Sequence, residues 1–121
     1  MTSVKLGKGL KSIGSCAFID CPALRSIDIP EGVTLIDDYA FDMCSSLTSV
    51  NIPSTVEYIG RYAFIDCVSL ESVVIPQGVK SINLSTFANC HALASVSLPN
   101  TVTSIDGNAF YGCDSLRTFT M

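Results

Sequence analysis

A period of 23 residues runs through this 121-residue chain and constrains its fold more than any other feature. Phenylalanine recurs at Phe18, Phe41, Phe64, Phe87 and Phe110, and cysteine at Cys21, Cys44, Cys67, Cys90 and Cys113. Leucine recurs at Leu24, Leu47, Leu70, Leu93 and Leu116. Branched or long apolar residues fill the column Val4, Ile27, Val50, Val73, Val96, Phe119, and two residues on the column Leu6, Ile29, Ile52, Ile75, Leu98, Met121. Proline follows at Pro30, Pro53, Pro76 and Pro99, then a column from Leu10 through Val33, Val56, Val79 and Val102, then Ile13, Ile36, Ile59, Ile82 and Ile105. Alanine precedes the phenylalanine in every unit except at Thr86. Such self-similarity marks a solenoid, whose units bury their apolar faces only against their neighbours. The chain is therefore read as one domain, 1–121, of repeats 1–23, 24–46, 47–69, 70–92 and 93–115 with a partial repeat 116–121.

Within one unit, Leu24-Arg25-Ser26-Ile27-Asp28-Ile29-Pro30 reads as a short strand, with Ile27 and Ile29 on one side and Ser26 and Asp28 on the other. Pro30 has no N–H to continue the pairing, so the chain turns there. Val33 and Ile36 form a second, shorter extended piece. Asp37-Asp38-Tyr39-Ala40-Phe41 reads as one helical turn, begun by Gly14, Asp37, Gly60, Asn83 or Asp106 in successive units. Stacking like residues on like gives five right-handed coils, a six-stranded parallel sheet, and short helical turns on the opposite wall. A parallel β-helix is the competing architecture; the helical chemistry of the Ala-Phe segment favours the leucine-rich-repeat arrangement.

The unit C-x-x-L-x-S-[IV]-x-[IL]-P-x-x-V-x-x-I-[GDN]-x-x-A-F-x-x-C resembles the BspA-like class of leucine-rich repeats across the whole chain. The resemblance implies a leucine-rich-repeat solenoid and a non-enzymatic, adhesin-like binding role within a longer surface or secreted protein. The matching residues are core residues, so they speak to the fold more than to the partner. Gly7 in place of proline, and Thr86 in place of alanine, depart from the pattern without threatening it.

Composition supports a core-rich chain: 48% of residues are hydrophobic and only 15% charged, against about 25% charged in an average domain. Net charge is −4 and the seven basic residues are scattered, which argues against a nucleic-acid groove. No stretch approaches the roughly 18 apolar residues of a membrane span, so no membrane insertion is expected. The first residues lack the layout of a signal peptide, which leaves an intracellular location open beside the surface location that the resemblance implies.

No catalytic residue, metal or cofactor is expected. The regular Cys column reads as buried thiols acting as small hydrophobes, since structural metal sites space their ligands by two to four residues. Cys16, in the column of Tyr39, Tyr62, Ser85 and Asn108, should face outward. His91, the only histidine, follows Cys90 but has neither an orienting third group nor an oxyanion hole in view. Asp37 and Asp106 sit where a helical turn needs a cap, and Asp20 and Asp66 where it ends.

A protein partner is expected to meet outward columns that the core does not need. These are Leu35 with Tyr58, Tyr39 with Tyr62, and Ile19, Ile65 and Tyr111. Phe119 and Met121 continue interior columns to the last residue and are candidates for end-to-end contact in a homo-oligomer. The alternative functions are a structural spacer, a self-assembling repeat, or a small intracellular adaptor or inhibitor.

Overall fold

The computed structural model describes residues 3–120, and side chains over 4–117. Its strands run in chain order as β1 (Ser3–Lys5), β2 (Ser12–Ile13), β3 (Ser26–Asp28), β4 (Leu35–Ile36), β5 (Ser49–Asn51), β6 (Tyr58–Ile59), β7 (Ser72–Val74), β8 (Ser81–Ile82), β9 (Ser95–Ser97), β10 (Ser104–Ile105) and β11 (Thr118–Thr120). Odd-numbered strands form one wall and even-numbered strands a second. Every pairing is parallel with a 23-residue offset, as in Ile27↔Val50 and Ile36↔Ile59. The architecture is a parallel β-solenoid of about four turns.

In β3, β5, β7 and β9 the central residue packs inward while its neighbours, polar except at Val74, face outward or partly so. Ile27 is buried between exposed Ser26 and Asp28, and Val73 between exposed Ser72 and Val74. Proline then ends the strand, and its carbonyl accepts the N–H of the valine three residues on, as in Val33 to Pro30 (3.3 Å) and Val79 to Pro76 (3.2 Å). Inside, Leu24, Leu47, Leu70 and Leu93, with Phe41, Phe64 and Phe87, are fully buried. The phenyl rings stack one per coil, with centroids 5.0 Å apart for Phe41–Phe64 and 5.4 Å for Phe64–Phe87.

Two expectations are corrected. The six odd strands do not make one continuous sheet: β1-β3-β5 and β7-β9-β11 are separate three-stranded sheets, and the even wall likewise divides into β2-β4-β6 and β8-β10. Both walls divide at the same junction, between residues up to 69 and residues from 70. On the odd wall four ladder steps result, where a continuous six-stranded sheet would have five, and the solenoid makes about four turns where five coils were expected.

The second correction concerns the Ala-Phe segment, since no helix is present among the described residues. Alternate N–H groups are shared between local and neighbouring-coil acceptors. Ala40 and Asp42 donate three residues back, to Asp37 (3.3 Å) and Tyr39 (3.2 Å). Tyr39, Phe41 and Met43 donate instead to the next coil's Arg61 (3.1 Å), Ala63 (2.7 Å) and Ile65 (2.9 Å). Sharing of this kind requires left-handed backbone at two positions per coil. Cys16, Tyr39, Tyr62 and Ser85 occupy the first at φ 61°, 62°, 61° and 53°; Asp20, Met43, Asp66, Asn89 and Gly112 occupy the second at φ 53°, 62°, 63°, 61° and 77°. An α-helix would hold these N–H groups within one segment. Stacked turns use them to bind coil to coil.

Candidate functional site

The outward column of Leu35 and Tyr58 lies where the even wall meets the turn wall. Leu35 and Tyr58 are register partners in β4 and β6, the first half-buried and the second exposed. Beside them the Asp38 carboxylate accepts the backbone N–H of Arg61 (2.9 Å), and the Arg61 guanidinium lies 3.4 Å from its other oxygen. Arg61 is largely exposed, so the ion pair is worth little by itself and mainly orients the two groups. Burial, then the charge of Asp38, pushes the Tyr58 hydroxyl above its ordinary range; Arg61 opposes and Asp37 adds to the shift. Tyr58 therefore stays a proton donor.

On the turn wall, Tyr39 and Tyr62 stack face to face, with ring centroids 4.8 Å apart and planes 10° apart. Both hold left-handed backbone, a conformation that bulky side chains rarely adopt and that Asn, Asp or Gly would adopt at lower cost.

The third expected column does not form a continuous strip. Asp42 separates Ile19 from Ile65, and buried Ala88 separates Ile65 from Tyr111, which is 68% exposed. Met121 lies outside the described residues, as does the side chain of Phe119. Sequence reasoning missed the Asp38–Arg61 pair, although opposite charges at one phase of adjacent repeats signalled it. It also missed exposed Met43.

Columns read as chemically suspect receive definite partners. The thiols of Cys44, Cys67, Cys90 and Cys113 each donate to a phenylalanine carbonyl 26 residues back, at 3.1, 3.2, 3.2 and 3.1 Å. They are hydrogen-bonding residues as well as small hydrophobes. Burial pushes the Cys44 thiol up to about 11, and raises Cys67, Cys90 and Cys113 in the same direction. Cys16 is exposed, and all six cysteines are free. His91 does have an orienting group, contrary to expectation: its Nδ1 lies 2.9 Å from Asp114. The adjacent Cys90 sulfur, however, is buried and engaged with Phe64, so the two do not form a nucleophile–base pair.

With no helix to cap, the expected caps instead close turns. Asp37 accepts the N–H of Asp38 (2.8 Å) and Asp106 that of Asn108 (3.0 Å). Among the described residues no group of three or more His, Cys, Asp or Glu could hold a metal ion, and no helix is long and apolar enough to cross a membrane.

Residues 1–117 match the model of the BspA type leucine-rich repeat region, in six copies. The chain belongs to the BspA-type leucine-rich repeat family. This BspA-type chain is similar in structure to a leucine-rich cell surface protein of Faecalibacterium prausnitzii, with TM-score 0.96 and 31% identity. That match covers 99% of this chain and 32% of the other. A leucine-rich repeat protein of T. pallidum is similar at TM-score 0.93 and 31% identity, over 98% of this chain and 57% of its own. The fold recurs in the pneumococcal vaccine antigen PcpA, at TM-score 0.86 and 24% identity, over 98% of this chain and 30% of that one. The BspA-type chain thus spans 32% and 57% of the length of the first two relatives. No curated protein matches it.

Proposed function

We propose that this chain is a non-enzymatic recognition segment of a cell-surface repeat protein, and that it binds a protein partner through the turn wall carrying Tyr39 and Tyr62, with Tyr58 of the even wall at its border. The observation that carries this reading is the Tyr39–Tyr62 stack. Two large aromatic rings sit side by side at backbone positions where smaller residues cost less. Tyr39 is exposed and Tyr62 half-buried, and strain retained at surface positions points to what the side chains present. Tyrosine also combines a broad apolar face with a polar tip, which suits an interface. The likeness to a cell surface protein supports a surface location.

Display of the chain on yeast, screened against labelled extracellular proteins, tests the reading. A partner should be captured by the native chain and lost by Tyr39→Asn/Tyr62→Asn, which keeps residues suited to left-handed backbone. Capture indifferent to both substitutions would favour a spacer or another wall.

A further inference from the structure

Charge is segregated by wall in this solenoid. The turn segments 14–22, 37–45, 60–68, 83–91 and 106–114 carry seven of the eleven acidic residues: Asp20, Asp37, Asp38, Asp42, Asp66, Asp106 and Asp114. Arg61 is their one Lys or Arg. With His91 neutral the turn wall has a formal charge of −6, and the other walls, with four acids and six bases, +2; together these make the net −4. Three of the four tyrosines, Tyr39, Tyr62 and Tyr111, lie on the same acidic wall.

Resting on the recognition reading above, we infer that the partner presents a Lys- and Arg-rich segment whose cationic heads pack on the Tyr39–Tyr62 rings while the surrounding aspartates supply the opposing charge. Stacking covers one face of each ring, so a cation would meet the outer, electron-rich face of either, and a wall of one sign steers and selects partners of the other. The one local cation is already engaged, since Arg61 faces Asp38 at 3.4 Å, so it does not cancel the rest. The acids are close enough to act on one another: after burial, the charges of Asp66 and Asp20 are what push the Asp42 carboxyl up. An acidic partner would meet repulsion across this wall. A purely apolar partner would leave the aspartates unsolvated.

Calorimetric titration of the full chain with three synthetic peptides of equal length tests this, one Lys/Arg-Gly-Ser, one Gln/Asn-Gly-Ser and one Asp/Glu-Gly-Ser. The basic peptide should bind on the order of tenfold more tightly than the neutral one, and the acidic one least. Its binding should weaken about tenfold from roughly 50 to 300 mM NaCl. Tyr39→Asn/Tyr62→Asn should weaken it about fivefold or more, and Asp42→Asn/Asp66→Asn should weaken it more than Glu31→Gln/Glu71→Gln, which removes equal charge from the other walls. No preference for the basic peptide overturns the inference. So does equal weakening by the two carboxylate pairs, which would reduce the effect to net charge, and so does indifference to the tyrosines. If the yeast-display partner is lost with the tyrosines yet the basic peptide is not preferred, recognition stands and its cationic chemistry falls. If neither responds, both fall.

Discussion

The thiol of Cys67 donates to the carbonyl oxygen of Phe41, 3.2 Å away and one coil back, while that oxygen also accepts the N–H of Cys44. The same relation joins Cys90 to Phe64 and Cys113 to Phe87. A carbonyl in an apolar interior is costly with unmet acceptor capacity. The repeated cysteine brings a weak donor to it at little cost in volume.

Replacing Cys67 with alanine should therefore destabilise the chain by about 1–3 kcal/mol, through lost packing and a less well satisfied carbonyl. Urea unfolding measures it. The pH dependence has a definite sign. The Cys44 thiol ordinarily titrates near 9.0 and is raised to about 11 in the folded chain. The unfolded chain thus loses this proton first as pH rises. Stability should be flat below about pH 9 and fall from there towards about pH 11. In native buffer a thiol reagent should label exposed Cys16 well before Cys44, Cys67 or Cys90.

Thr86 breaks the alanine column, yet restoring the repeat there should weaken the protein. Its hydroxyl lies 3.1 Å from the Gly60 carbonyl of the previous coil and 3.1 Å from that of Asn83. Asn83 in turn meets the Ile59 carbonyl with its side-chain amide at 2.8 Å; at this step in other coils a backbone N–H makes the bond, as in Gly60 to Ile36 at 2.8 Å. Both side chains therefore cross the junction where the sheets divide. Thr86→Ala should cost about 1 kcal/mol or more, read as a lower urea midpoint.

Glycines at one phase of the repeat should differ in tolerance. A Cβ added at Gly60 would collide with the Asp38 carboxylate and come within 2.5 Å of the Asp38 nitrogen, whereas one at Gly14 meets nothing within 4 Å. Gly60→Ala should destabilise by about 1–3 kcal/mol, and Gly14→Ala should be neutral within about 0.5 kcal/mol. Thermal melts of the pair give the comparison.

Met43 sits exposed in left-handed backbone where its repeat counterparts are Asp20, Asp66, Asn89 and Gly112. Met43→Asn should stabilise the chain by about 0.5–1 kcal/mol by relieving that strain, seen as a raised melting temperature. A lowered one would mean that the Met43 side chain makes compensating contacts.

What could be read in the sequence was whatever repeats in one dimension. The inward Leu, Ile and Phe columns, the Ser-Ile-Asp strands and the proline stops each follow from local chemistry plus the 23-residue register. The turn wall was misread because Ala40 and Phe41 carry helical propensity, while the N–H of Phe41 finds its acceptor, Ala63, only once coils stack. The Asp, Met, Asp, Asn, Gly column ending at Gly112 was the available sign of left-handed backbone. The thiol–carbonyl contacts were equally hidden, since Phe41 and Cys67 lie 26 residues apart and meet only in the solenoid. In the candidate site, the pairing of Leu35 with Tyr58 and of Tyr39 with Tyr62 was legible from register. The interruption of Ile19 and Ile65 by Asp42 was equally written in the column, but reading only its apolar members concealed it.

The most direct test is hydrogen exchange across the chain with and without the partner captured by display. Slowed exchange is expected in 37–45 and 60–68, the segments bearing Tyr39 and Tyr62, with the sheet face at Ser26–Asp28, Ser49–Asn51 and Ser72–Val74 unchanged. Protection on the sheet face with the tyrosine segments unaltered would contradict binding through the turn wall.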